Sequence, residues 1–237
     1  MKNQFSRTEL LIGKAGVEKI KKSKVVVYGI GGVGSYTVEA LARAGVGHLV
    51  LIDVDNVDIT NINRQIMALH STLGKRKVDV MKERILDINP QAKVEIYEPD
   101  DIKGGEENLL DESFTYAVDA IDTMSSKLKV IEKAYSLGIN IISATSAGNK
   151  LDPTMFEVSD IHETSVCPVC RILRKELKIR GIKKHKVVYS KETPVKLIQD
   201  EDQNNTLGSI AFVPSVMGLI VAGEVIKDII NSWLFYF

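Results

Sequence analysis

The feature that most constrains this chain is the run Gly29-Ile30-Gly31-Gly32-Val33-Gly34-Ser35. It follows a β-branched and aromatic stretch, residues 24–30, and opens an apolar-periodic run, residues 33–44. Strand, tight turn and helix in that order form the first half of a βαβ unit. Glycines let the backbone approach a phosphate closely, and the free N–H groups of a helix start favour negative charge. Gly29, Gly31 and Gly34 match Gly-x-Gly-x-x-Gly, so the pattern predicts a nucleotide-binding, Rossmann-like fold.

The alternation continues to about residue 145. Gly45-Val46-Gly47 ends the helix, and residues 48–53 read as a strand buried on both faces and ending at Asp53. A helix over 77–88 stops at Asn89-Pro90, and strands follow at 93–97, 116–120 and 139–143, the last two separated by a helix over 125–137. Such alternation predicts a mostly parallel α/β sheet with helices on both faces. Beyond Gly148 the texture becomes α+β: strands near 155–158 and 187–189, a helix over 169–180 and a long final helix from Pro214. The expectation is a single domain over 1–237, with a nucleotide-binding core at 1–148 and a smaller substrate and dimerisation part at 149–237. The polar run 200–205 reads as an exposed loop. The aromatic tail, 233–237, reads as packed on the body or on a partner subunit.

With 237 residues, 44% of them hydrophobic and 26% charged, the chain is expected to be an ordinary soluble globular protein. A formal net charge of zero argues against a general attraction to nucleic acid or acidic membranes. The two cysteines, Cys167 and Cys170, are too few for a disulfide scaffold and point to a reducing compartment, the cytoplasm. No export signal is visible at the start. The apolar stretch 211–226 contains Pro214 and Glu224 and falls short of the ~18 residues of a spanning helix, which argues against membrane insertion.

The glycine loop alone does not choose a ligand, because Asp53 can accept hydrogen bonds from the ribose of NAD as readily as from that of ATP. The segments that follow shift the balance: residues 53–65, then Gly74-Lys75-Arg76-Lys77 and Asp119-Ala120-Ile121-Asp122. Cleaving a triphosphate between its α and β phosphates calls for cations near the developing charge and a carboxylate to hold Mg2+. Arg64 and Lys77 can supply the cations and Asp122 the carboxylate. Taken singly, each is equally well a solvated surface charge, and Asp119 or Asp122 a helix cap. It is the set that carries weight.

That set resembles the ubiquitin-activating-enzyme-like superfamily, whose bacterial members include adenylyltransferases of molybdopterin and thiazole biosynthesis and a tRNA-modifying dehydratase. The matching motifs are the loop Gly-x-Gly-Gly-Val-Gly-Ser, Leu51-Ile52-Asp53-x-Asp55, Thr60-Asn61-x-Asn63-Arg64-Gln65, Gly74-Lys75-x-Lys77 and Asp119-Ala120-Ile121-Asp122, all between about residues 5 and 148. The resemblance implies an ATP pocket formed by Gly29, Gly31, Gly32, Gly34, Ser35, Asp53, Asp55 and Gln65. Asp53 would bind ribose, Asn61, Arg64 and Lys77 phosphates, and Asp122 Mg2+. Arg7 matches an N-terminal arginine that reaches the partner subunit's nucleotide in a homodimer.

Within the superfamily, Phe5-Ser6-Arg7-x-Glu9-Leu10, Asn63-Arg64-Gln65-Ile66-x-Ala68-Leu69, Asp87-Ile88-Asn89-Pro90 and Asp152-Pro153-Thr154 are most similar to the branch that dehydrates threonylcarbamoyladenosine in tRNA. The implied reaction activates the threonyl carboxylate as an acyl adenylate, which an atom of the same base then attacks. The competing implication is activation of the C-terminal carboxylate of a small ubiquitin-like sulfur-carrier protein, and a sulfur-relay or carrier protein is a further candidate partner.

In the similar sulfur-carrier adenylyltransferases a Cys-x-x-Cys at about the place of Cys167 and Cys170 is half of a four-cysteine zinc site, but here there is no second pair. Three readings stay open: one metal shared by two chains, inert or occasionally oxidised thiols, and a redox or nucleophilic role. Between Arg171 and Lys196 there are ten Lys or Arg against two acids. On the predicted helix, Ile172, Leu173 and Leu177 are expected to face inward, with Arg171, Arg174, Lys175 and Lys178 outside. Those four, with Lys183 and Lys184, form a candidate tRNA phosphate contact, the alternative being a solvated helix face.

Overall fold

The computed structural model describes residues 3–196 and 207–231. The polar run 200–205 and the aromatic tail 233–237 lie outside the described residues. Seven strands, β1 (Lys24–Tyr28), β2 (His48–Ile52), β3 (Lys93–Tyr97), β4 (Tyr116–Asp119), β5 (Asn140–Ala144), β6 (Phe156–Asp160) and β7 (Lys186–Ser190), form one sheet in the order β3-β2-β1-β4-β5-β7-β6. All neighbouring pairs are parallel except β6 and β7. Because β7 pairs with β5, the sheet runs unbroken from the first half of the chain into the second.

Among the described residues six α-helices cover the two faces: α1 (Ser6–Lys22), α2 (Gly34–Ala44), α3 (Lys77–Ile88), α4 (Met124–Ser136), α5 (Pro168–Ile179) and α6 (Phe212–Asn231). Side chains alternate across a strand, so Val25 and Val27 enter one apolar layer and Val26 and Tyr28 the other. The first layer holds Val38, Leu41, Met81, Ile85, Met217, Val221 and Val225, from α2, α3 and α6. The second holds Leu128, Ile131, Leu173 and Leu177, from α4 and α5. The expected apolar segment near 211–226 is α6, packed across α2, and no helix among the described residues is long and apolar enough to cross a membrane.

Two details differ from the expected pattern. The first strand ends at Tyr28 because Gly29 turns the chain at φ +85°. On α5, Ile172 is half exposed rather than inward, since the residues at the buried spacing are Cys170, Leu173 and Leu177.

Candidate nucleotide-binding site

β1 leads to β2 on one side of the sheet and borders β4 on the other. The crevice beyond the carboxyl ends of β1 and β4 is therefore the topological switch point, where ligands bind in open α/β sheets. The glycine loop occupies it. A Cβ at Gly29 would lie 2.6 Å from the Ala120 carbonyl oxygen, and a Cβ at Gly34 would collide with the Gly29 carbonyl. Only glycine permits this fold of the loop, which brings the start of α2 against the end of β4.

Asp53 follows β2 at the same edge. It accepts from the Ile30 N–H at 2.6 Å through Oδ2 and from the Asp55 N–H at 2.8 Å through Oδ1, which leaves further lone pairs for ribose hydroxyls. Burial pushes its carboxyl above the usual range, while Lys77 and these two N–H groups pull the other way. Lys77 opens α3, and its buried Nζ lies 2.6 Å from Asp55 Oδ2.

The segment between Asp55 and Lys77 carries the remaining candidates. Asp58 caps a short 3-10 helix, Ile59–Asn61, through the Thr60 N–H, and the Asn61 side chain accepts from the Asp58 N–H at 3.1 Å. Asn61 is therefore buried and held locally. Arg64 donates to the Thr60 carbonyl and to Asn63 Oδ1, both at 2.9 Å, and its Cγ would be 3.5 Å from a Cβ on Gly32. The arginine stem thus lies against the loop. Gln65 packs beside Gly31, and its buried Oε1 has no hydrogen-bond partner among the described residues. A buried amide oxygen with no partner is costly, and a ligand donor would satisfy it. Ser35 is fully buried, and its Oγ is 3.4 Å from the Ile66 N–H.

Asp122 follows β4 on the far side of the loop. It is exposed, with Thr123 Oγ1 at 3.4 Å, so its oxygens remain available to a cation. It does not cap α4, whose N-cap is Thr123, and neither does Asp119, which is buried in an ion pair with Lys127. Arg7 stands apart. The Phe5 ring lies over Gly45 at the far end of α2, a helix of 11 residues and so about 16 Å long. Within one chain, Arg7 is therefore at the other end of α2 from the glycine loop.

The structure corrects one expectation on the basic stretch. Arg174 is not a free outward charge: its guanidinium donates to the Ile161 carbonyl at 3.0 Å and to the Thr164 carbonyl and Oγ1, each at 2.6 Å. The arginine thus ties α5 to the short 3-10 helix and loop that precede it. Arg171, Lys175, Lys178, Lys183 and Lys184 are exposed. Cys167 is the N-cap of α5 and accepts from the Cys170 N–H at 3.5 Å, and both thiols are buried and free. Among the described residues no three or more His, Cys, Asp or Glu side chains group as metal ligands.

Sequence reasoning missed two elements. Asn63 joins Arg64 to the second half of the chain, donating to the Ser209 carbonyl at 2.9 Å. Lys127 lies in the apolar core at 2% exposure. The available signal was its spacing: Lys127, Val130, Ile131 and Ala134 share one helical face, where a lysine requires a buried partner.

The sequence pattern of the ThiF family matches residues 5–233. This chain belongs to the ThiF family. Among similar ThiF-family proteins, the tRNA threonylcarbamoyladenosine dehydratase of Bacillus subtilis (strain 168) is 43% identical, over 98% of this chain and 96% of its own length. The solved structure of the E. coli tRNA N6-threonylcarbamoyladenosine dehydratase with AMP superposes with a TM-score of 0.88 at 32% identity, covering 98% of this chain and 96% of that one. The same E. coli protein with ATP gives 0.86 at 30% identity, covering 99% and 96%. The mostly parallel sheet seen here is thus that of a protein solved both with AMP and with ATP.

Proposed function

We infer that this chain uses ATP to dehydrate N6-threonylcarbamoyladenosine in tRNA to its cyclic form. The observation that carries the reading is likeness along nearly the entire chain to dehydratases of that name, one of them solved both with ATP and with AMP. In this reading the glycine loop and the start of α2 receive the phosphates, Asp53 the ribose, and Gln65 Oε1 a nucleotide donor. Arg64 and Lys77 face the charge that develops as the threonyl carboxylate attacks the α-phosphorus and pyrophosphate leaves.

Asp122 would hold Mg2+, which when bound shares the charge of the phosphates; one exposed carboxylate suits a cation that takes its other ligands from phosphates and water. The acyl adenylate is then attacked by an atom of the same modified base, AMP leaves, and the net change in the base is loss of water. No protein nucleophile is needed, because the attacking atom is already tethered close to the activated carbonyl.

Residues 149–237 supply the substrate and dimerisation part, with Arg171, Lys175, Lys178, Lys183 and Lys184 meeting tRNA phosphates. A homodimer is supported by Leu10 and Leu11 on α1, 86% and 88% exposed, which a second copy would cover. A cytoplasmic location fits the two free thiols and a tRNA substrate.

The test is pyrophosphate exchange into labelled ATP with either threonylcarbamoyl-modified tRNA or a small sulfur-carrier protein as acceptor. Exchange that depends on the modified tRNA is expected. Exchange that depends on the carrier protein instead would move the reading to protein adenylation.

A further inference from the structure

Beneath α4, four polar side chains are sealed inside an apolar layer. Lys127 Nζ donates to Asp119 Oδ2 at 2.7 Å and to the Ala144 carbonyl at 3.0 Å. Ser143 Oγ donates to the same Asp119 oxygen at 2.6 Å and lies 2.7 Å from His185 Nε2. The protons in this chain are determined. Asp119, ion-paired with Lys127, only accepts, so the Ser143 hydrogen points to it, and the Ser143 oxygen must accept from a neutral Nε2–H ring at His185.

Burying an ammonium and a carboxylate costs several kcal/mol per ion, and an apolar pair of similar volume would stabilise the core at least as well. The arrangement therefore calls for another explanation, and the remaining oxygen supplies it. Asp119 Oδ1 accepts from the Ile121 N–H at 3.1 Å, one residue before Asp122. The Ala120 N–H, between them, bonds to the Tyr28 carbonyl at 2.8 Å, and its own carbonyl lies over Gly29. The backbone leading to Asp122 is thus tied to the glycine loop on one side and to the buried network on the other.

We propose that Lys127, acting through Asp119, is a positioning residue that sets where Asp122 meets the nucleotide and its cation. The ammonium fixes the Asp119 carboxylate, the carboxylate fixes the Ile121 amide, and the amide fixes the turn that presents Asp122. This rests on the role assigned above to Asp122, but not on the identity of the acyl acceptor.

The experiment is equilibrium binding of ATP to Lys127→Met and Lys127→Arg, in Mg2+ and in EDTA, alongside the KM for tRNA. Lys127→Met is expected to weaken ATP binding about tenfold in Mg2+, the scale seen when partners supporting a metal ligand are removed. Binding in EDTA and the tRNA KM should stay as in the wild type, and Lys127→Arg should recover most of the Mg2+-dependent gain. Ser143→Ala keeps the ion pair, so it serves if Lys127→Met does not fold, with a smaller loss of the same kind.

A folded variant that keeps the full Mg2+-dependent gain, or one that loses affinity equally in Mg2+ and EDTA, overturns the proposal. A wild type with no Mg2+-dependent gain removes the Asp122 role and the proposal together. A wild type with that gain but no tRNA product counts against the tRNA reading alone.

Discussion

Lys77 Nζ lies 2.6 Å from Asp55 Oδ2, the lysine side chain 5% exposed and the aspartate 61% exposed. The ammonium is therefore held inside the protein by a carboxylate that reaches in from the surface. Asp55→Asn leaves it with a weaker partner, and the expected cost is about 1–3 kcal/mol. If ATP phosphates meet the same ammonium, they replace the lost charge, and ATP should raise the melting temperature of Asp55→Asn more than that of the wild type. Equal shifts would place the phosphates away from Lys77. Lys77→Met should lower the rate of adenylation by about 100-fold or more.

Arg174 and the lysines around it should separate cleanly. Arg174→Gln breaks charge-assisted bonds to the Ile161 and Thr164 carbonyls, so a loss of about 1.5–3 kcal/mol in urea unfolding is expected. The double variant Lys175→Gln, Lys178→Gln should leave unfolding unchanged, weaken tRNA binding and reduce its salt slope by about 2. An unchanged slope would make this helix face merely solvated.

His185 gives the fold an acid sensitivity with a definite sign. Burial, with Lys127 nearby, pushes its imidazole down to about 3. In the unfolded chain the ring titrates near 6.5, so below about pH 6.5 only the unfolded state takes the proton. Stability should fall as pH drops from about 6.5 toward 3. His185→Gln, whose amide can still donate to Ser143, should lose about 2 kcal/mol less than the wild type between pH 7 and pH 5, measured by urea unfolding.

Cys167 should ionise more readily than an ordinary thiol. A hydrogen bond from the Cys170 thiol is the main cause that holds it below the usual thiol range, while the same bond pushes Cys170 up. Alkylation of Cys167, slow because it is buried, should level off at a lower pH than that of an ordinary thiol, which speeds up about tenfold per unit below its pKa of about 8.5. Cys170→Ala should restore the ordinary rise.

Much of this was legible in the sequence for physical reasons. The glycine loop, the apolar strands and the helix stops are local signals, and they gave helix 77–88 and strand 93–97 with the boundaries observed. Asp53, Lys77 and Asp122 each sit close to the carboxyl end of a strand or at the start of a helix, and Arg64 lies in a polar turn, where such residues are easily read. Arg174 and Lys127 were not legible, because the acceptors that hold each of them lie on another element. Nothing local marks Ala144 or Thr164 as their acceptors. The half-exposed Ile172 shows the same limit: a helical pattern gives the buried face only to within one residue.

Purified protein is incubated with ATP, Mg2+ and tRNA bearing N6-threonylcarbamoyladenosine, and the digested nucleosides are followed by mass spectrometry. The expected result is conversion to a nucleoside lighter by one water, with one AMP formed for each base converted, and loss of both in Arg64→Ala. An unchanged nucleoside in the presence of ATP-competent wild-type protein would contradict it.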